Sequence, residues 1–397
     1  MSGPLDGLLV VDLSRALAGP QAGMMLGDLG ARVIKVESPS GDDTRSWGPP
    51  FVSAQDGTTE STYFLSCNRN KESIALNLKR EEDARVLARL IERADVLLEN
   101  FKPGTLERLG FGTERLMRLN PRLVLLSISG FGHDGPEAHR AGYDQIAQGE
   151  AGLMSLTGAD PDHPQRVGVP IADLLSGMNG AFGVLAALRE RDRTGRGQIV
   201  RTSLLASVVG AHAFQGTRWT VGGDLGAAQG NQHPTIAPYG LFRCAGGSVQ
   251  IACGNDAMWS RLCAAFGLPA DDPAYATNAD RLANRDGLTK LLEGVFGSYD
   301  AADLLQRLAD ADIPAGRVRG LDEVYAWEQT RSQRLLVDVE HPSLGTVSLP
   351  GSALRTFALD ATGVETETTR LDHRAPPVLD ADAASVRAWL DAGATSS

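Results

Sequence analysis

The first third of the chain alternates short apolar runs with amphipathic segments, and this constrains the fold more than any other feature. "GLLVVDLS" (Gly7–Ser14) reads as a buried strand, "AGPQAGMMLGDLGA" as a helix opening on small residues, and "RVIKVES" as a second strand. Two strands joined by a helix within about 30 residues make a βαβ unit, which implies a parallel sheet. The pattern repeats. "SIALNLK" is strand-like, and "REEDARVLARLIERA" is an amphipathic helix with Ala84, Leu87, Leu90 and Ile91 on one face. "DVLLEN" is a strand, "GTLERLG" and "GTERLMRLN" are short helices, and "PRLVLLSISG" is another buried strand. Such alternation predicts an α/β, doubly wound domain.

Further on, Leu174, Met178, Ala181, Phe182, Leu185 and Leu188 form an apolar stripe of helical period, which ends at "RERDRTGRGQ". "QIVRTSLLAS" continues as strand, then helix. Gly216–Pro238 is Gly-rich and irregular, as a linker is. "YGLFRCAGGSVQIACG" reads as a hairpin around Gly246-Gly247. Helices follow in "DAMWSRLCAAFG", "NRDGLTKLLEGVFGS" and "AADLLQRLADADI", giving a smaller α+β domain over about Tyr239–Ala326. "LLVDVEHPSLGTVSLPGSALRTF" is a further hairpin, "AASVRAWLDAG" a short helix, and "ATSS" a loose tail.

Composition excludes several functions. The net charge of −11, with no basic run, argues against a nucleic-acid partner, so an anionic ligand must meet a local set of Arg and Lys. No apolar run reaches membrane-spanning length, and "MSGPLDGLLVVDLSR" lacks a basic start and a cleavage site; we read the protein as cytoplasmic, with no membrane partner. Cys67, Cys244, Cys253 and Cys263 match no zinc spacing and read as buried free thiols. The histidines form no ligand pair, so no metal and no permanently bound cofactor are expected. "SRALAGPQAG" is not the glycine fingerprint of a dinucleotide site, and no phosphate-loop lysine motif is present.

Chemistry concentrates in three places. In "GVPIADLLSGMNG" (Gly168–Gly180), Asp173 precedes a cluster of small residues. An Asp there is ordinarily a helix N-cap. It is also a carboxylate at a helix start that a ligand can approach, where amides stabilise developing anions. In "AGYDQIAQGEAGLMSLTG", Tyr143 and Asp144 precede a helix-like stretch. In "ENFKPGTLERLG", Asn100 ends a buried strand, where ligands of open α/β sheets gather, and Phe101, Lys102 and Arg108 follow. Each also has a plain reading: a packed Tyr, a Pro-Gly turn, solvated charges.

Together these motifs resemble the family III CoA-transferases, the CaiB/BaiF family. The resemblance rests on "PLDGLLVVDLSRALAGPQAGMMLGDLGARVIKVE", "CNRNKESIALNLK", "DVLLENFKPGTLERLGFG", "NPRLVLLSISGFGHDGP", "AGYDQIAQGEAGLMSLTG", "VGVPIADLLSGMNGAFGVLAAL" and "RTGRGQIV", in the family's order. It implies a Rossmann-like large domain over 1–215, a linker over 216–238, a small α+β domain over 239–326, and a return segment over 327–397 completing the large domain. It also implies an interlocked, ring-like homodimer. By the same resemblance Asp173 is the nucleophile, forming an aspartyl mixed anhydride and then an aspartyl-CoA thioester. CoA, a substrate here, would meet Ala16, Leu17, Ala18, Leu76, Lys79, Asn100, Phe101 and Arg108. Tyr143 and Asp144 would lie at the reacting thioester. Asp173 is expected to stay ionised at neutral pH, favoured by helix amides.

Three departures matter. Where a relative carries Arg after "VIKVE", this chain has Ser38, and Arg45 or Arg15 would supply that charge. The racemases of the family carry His where Tyr143 stands, and a phenol is a poor base at neutral pH, which favours transfer. The family's usual C-terminal ending is replaced by "TTRLDHRAPPVLDAD". "IACGNDAMW" lacks the long glycine-rich loop of the formyl/oxalate transferases, so a succinyl-CoA-type donor and a dicarboxylate acceptor are expected, with Arg166 and His233 available to a distal carboxylate. A 2-methylacyl-CoA racemase or epimerase, and a non-catalytic CoA-binding protein, are the alternatives.

Overall fold

The computed structural model describes residues 3–54 and 57–392, so the "ATSS" tail lies outside the described residues. Six strands form a parallel sheet: β1 (Leu9–Asp12), β2 (Arg32–Glu37), β3 (Lys71–Ala75), β4 (Val96–Glu99), β5 (Val124–Ser129) and β6 (Ile199–Ser203), in spatial order β3-β2-β1-β4-β5-β6. The order reverses between β1 and β4, so their carboxyl ends splay apart into a crevice. Helices α1 (Ala18–Asp28) and α2 (Glu81–Arg93) carry two of the crossovers. The apolar face of α2 explains its place. Leu87, Leu90 and Ile91 are fully buried against Val11, Ile34, Ile74 and Leu97 of the strands.

The chain divides into two compact units: one of Met1–Gly152, Val167–Ala213 and Glu328–Ser397, the other of Leu153–Arg166 and Phe214–Trp327. In the first unit the C-terminal stretch closes the sheet. Asp380 and Asp382 accept the β3 amides of Ala75 and Ser73, each at 2.8 Å, and so satisfy an otherwise open edge. A helix over Ala383–Ala392 then adds Val386 and Leu390 to the same core.

The second unit holds an antiparallel hairpin, Tyr239–Cys244 with Gly247–Ala252, packed on helices Asp256–Phe266, Arg285–Phe296 and Ala301–Asp310. The Gly-rich stretch read as irregular begins as a helix, Ala213–Thr220. All four cysteines are free and buried, and burial pushes the Cys67, Cys253 and Cys263 thiols up to about 11.

The longest helix corrects two expectations. It spans Ile171–Thr194 and is long and apolar enough to cross a membrane by length and composition, contrary to the sequence reading. Its buried face also shares only Ala181 and Leu188 with the apolar stripe. That face is Ala172, Ser176, Gly177, Gly180, Ala181, Val184, Ala187 and Leu188, whereas Phe182 is 73% exposed and Met178 half exposed. The reason is close approach: a Cβ at Gly177 would stand 2.6 Å from the Ala18 carbonyl, and one at Gly180 would stand 2.8 Å from Leu126. Gly177→Ala should therefore destabilise by about 1–3 kcal/mol in urea unfolding. Gly294→Ala, where nothing lies within 4 Å of the added carbon, should gain up to about 1 kcal/mol. Equal effects at both positions would contradict this packing.

Candidate active site

Buried charges build the crevice. Lys71, the first residue of β3, donates to Asp12 at 2.9 Å, to the Pro20 carbonyl at 2.8 Å and to Asn68 at 3.0 Å. Asp12 in turn accepts the Ser14 amide at 2.9 Å. Lys35 of β2 donates to the Ser14 carbonyl at 2.9 Å and pairs with Asp42 at 2.8 Å. The turn after β1 is thus gripped from below. From the side, the Asn100 carboxamide accepts the Arg15 N–H at 2.8 Å and donates to the Arg15 carbonyl at 2.7 Å. Between these grips Ala16 adopts a left-handed φ of 64°, with its N–H donating to Asp42 at 3.3 Å. Such a conformation costs a non-glycine residue about 1–2 kcal/mol, and the surrounding bonds hold it.

Along the strand ends runs a cleft of about 280 Å³. Of the eight residues expected at CoA, it brings together Leu76, Lys79 and Phe101, with Arg15 at its wall. Ala16 leads into α1, and Leu17 and Ala18 are buried at its start. Asn100 acts through the Arg15 backbone. Arg108, in the short helix α3 (Thr105–Arg108), does not line the cleft; it is exposed and donates to the Thr105 hydroxyl at 2.7 Å. Phe101 is fixed by its N–H, which donates to the buried Glu99 carboxyl at 2.8 Å. Arg45, one of two candidates to replace the missing cation at Ser38, is unavailable: its guanidinium makes two 2.8 Å bonds to Glu37 and a third to the Pro377 carbonyl.

Asp173 lies at the start of the long helix, labelled α5, with α4 (Asp144–Glu150) against it. It is not the N-cap. The helix begins at Ile171 after Pro170, so Asp173 is its third residue. The capping oxygen comes from elsewhere in sequence: Asp144 accepts the Ala172 amide at 2.8 Å and the Asp173 amide at 3.3 Å. Gln148 holds Asp144 at 2.7 Å and accepts the Val167 amide at 2.9 Å.

This arrangement opposes the full ionisation expected of Asp173 at neutral pH. With the helix amides occupied by Asp144, burial pushes the Asp173 carboxyl up to about 7, and the Asp144 charge adds to the rise. Tyr143 caps α4 only through its carbonyl, and its side chain is 66% exposed. The tyrosine that feels Asp173 is Tyr63, whose phenol is raised by burial and then by the Asp173 charge. No sequence motif marks Tyr63. It stands edge-on to Trp47 at 5.0 Å and lines an apolar cavity of about 960 Å³, as do Pro170, three residues before Asp173, and Leu174, the residue after it. Among the described residues no cluster of three or more His, Cys, Asp or Glu could hold a metal.

The comparisons with known proteins agree with the motifs. The profile of CoA-transferase family III matches residues 5–383. A mouse protein named succinyl-CoA:glutarate CoA-transferase is 41% identical over 355 residues, which is 89% of this chain and 80% of that protein. An Acetobacter aceti protein named acetyl-CoA:oxalate CoA-transferase is 40% identical over 362 residues, 90% of each chain. The crystal structure of a CaiB/BaiF family protein from Brucella suis superposes with a TM-score of 0.86 at 41% identity, covering 98% of this chain and 100% of that one.

Two measurements check the electrostatics. The carbon-13 carboxyl signal of Asp173 should titrate near 7, and lower in Asp144→Asn; an unchanged midpoint would remove Asp144 as a cause. The raised value also sets a stability sign. A neutral Asp173 stabilises the fold at acid pH, and that contribution is lost as pH rises through about 7. Asp173→Asn should therefore raise the melting temperature at pH 8 and leave it nearly unchanged at pH 4; the opposite trend would contradict the burial.

Proposed function

The chain belongs to CoA-transferase family III, and from that premise we propose that it moves CoA from a succinyl-CoA-type thioester to a dicarboxylate acceptor through Asp173. The observation that carries this is the half-buried carboxylate at the start of α5, beside a large apolar cavity and close to neutrality in its protonation. A carboxylate is a weak nucleophile in water. Partial desolvation makes its ionised form more reactive, and near neutral pH about half the population carries the charge.

In the proposed sequence an Asp173 oxygen attacks the thioester carbonyl. The carbon–sulfur bond breaks, leaving an acyl-aspartyl anhydride and CoA thiolate. The thiolate attacks the aspartyl carbonyl, releasing the donor acid with one Asp173 oxygen and leaving an aspartyl-CoA thioester. The acceptor carboxylate attacks that carbonyl, regenerating thiolate and an anhydride. Thiolate attack on the acceptor carbonyl completes transfer and frees Asp173. Apolar walls exclude water, which would otherwise hydrolyse the anhydride.

CoA occupies the cleft of Leu76, Lys79 and Phe101, with the turn Ala16-Leu17-Ala18 and Asn100 shaping its inner end, and Arg108 would have to swing from Thr105 to reach it. Tyr143 and Asp144 border the thioester, Asp144 by holding the α5 start. Asp144 already accepts three hydrogen bonds, which makes it a poor partner in the acid–base pair a racemase needs. The active form is an interlocked cytoplasmic homodimer with no resident cofactor. The relatives' names include both glutarate and oxalate, so the acceptor panel should span short and long dicarboxylates.

Incubation with succinyl-CoA followed by hydroxylamine should give a hydroxamate at Asp173, mapped by mass spectrometry. Asp173→Ala should lose on the order of 10³-fold or more in turnover while still binding CoA. A hydroxamate at another residue, or full activity of the variant, would overturn the assignment.

A further inference from the structure

The cleft at the strand ends has three cations in its wall, and they are not equivalent. Lys35 is buried and consumed by Asp42 and the Ser14 carbonyl. Lys79 is exposed at the rim, with no ion pair among the described residues. Arg15 is different again. Its backbone is pinned at both N–H and carbonyl by Asn100, so its Cα is fixed. Its side chain is half exposed, with the guanidinium 5.5 Å from the Phe101 ring centroid. Its one ion pair among the described residues is with Asp43, which stands 3.8 Å away and is itself largely exposed. A long, solvated ion pair of this kind is weak and readily exchanged for another anion.

From this geometry we propose that Arg15 is the specificity-determining cation for the phosphates at the nucleotide end of CoA. The proposal rests on the reading above that the chain handles CoA. A guanidinium offers a planar fork of donors that fits a phosphate through two hydrogen bonds, which an ammonium does not. Stacking on Phe101 holds that fork at the cleft wall before ligand arrives, and the same ring offers a face to a purine. Ser38 donates instead to the Gly41 carbonyl at 3.0 Å, and Arg45 is bound to Glu37, so neither brings free charge. Arg15 exchanges Asp43 for phosphate, and no covalent bond changes.

The test compares wild type, Arg15→Gln and Arg15→Lys with three donors: succinyl-CoA, its 3′-dephospho form and succinyl-pantetheine. Arg15→Gln should raise KM for succinyl-CoA about tenfold, with a smaller change in kcat, and weaken calorimetric binding of free CoA equally. Arg15→Lys should fall between. With succinyl-pantetheine, which has no nucleotide, the KM ratio of variant to wild type should fall to about one. A ratio of one with the dephospho donor supports contact at the 3′-phosphate; a persisting difference supports contact at the diphosphate. An unchanged KM for succinyl-CoA, or an equal loss with succinyl-pantetheine, would overturn the proposal. Wild-type protein that turns over succinyl-CoA but is indifferent to Arg15 refutes this inference alone. Wild-type protein that binds no CoA refutes the reading beneath it as well.

Discussion

The site depends on charges buried beneath it. Lys71–Asp12 and Lys35–Asp42 lie with almost no solvent contact beneath the turn that follows β1. Burial acts to raise the Asp12 carboxyl, yet the Lys71 and Lys35 charges more than offset it and hold it below its ordinary value. Burying such pairs contributes little net stability, but losing one partner strands the other and typically costs about 3–5 kcal/mol. Their effect is geometric. Each lysine also binds backbone, Lys71 at Pro20 and Lys35 at Ser14, so the turn from β1 into α1 has one position. Asn100 adds the third hold from across the switch point. The left-handed Ala16 is tolerable only within that frame.

The second constraint is the closeness of α1 and α5. Small residues on α5 let the two helices meet, which brings the start of α5 beside the start of α1. The large apolar residues of α5 are then left to line a cavity. Asp144 completes the arrangement by filling the amide site at the α5 start. An acid that occupies those amides denies them to Asp173, and the Asp173 carboxyl rises toward neutrality. Fold and reactivity are linked at that point: the residue that secures the helix end also tunes the candidate nucleophile.

Much of this was legible in the sequence, and the misses share a cause. The strands and α2 were readable because alternation of apolar runs and helical periodicity are local signals, and the resemblance added Asp173. Periodicity could not tell which face of α5 is buried, because Gly and Ala carry little hydrophobic weight while packing closest. The N-cap reading of Asp173 failed because the cap is supplied by Asp144, 29 residues earlier. Tyr63 carried no motif, and its relation to Asp173 arises only in three dimensions. Arg45 looked free in sequence, but Glu37 binds it across a turn. The unusual C-terminal stretch became interpretable once Asp380 and Asp382 were seen on the edge of β3.

The proposed chemistry requires that Asp173 be covalently acylated through its own oxygen. Oxygen-18 labelling addresses it directly. An acceptor dicarboxylate labelled in its carboxylate oxygens should leave one heavy oxygen on Asp173 after each transfer, because the bridging oxygen of the second anhydride stays with the enzyme. Mass spectrometry of the peptide containing Asp173 should show that label after turnover, and not in acceptor without donor. Turnover that leaves Asp173 unlabelled would contradict the account.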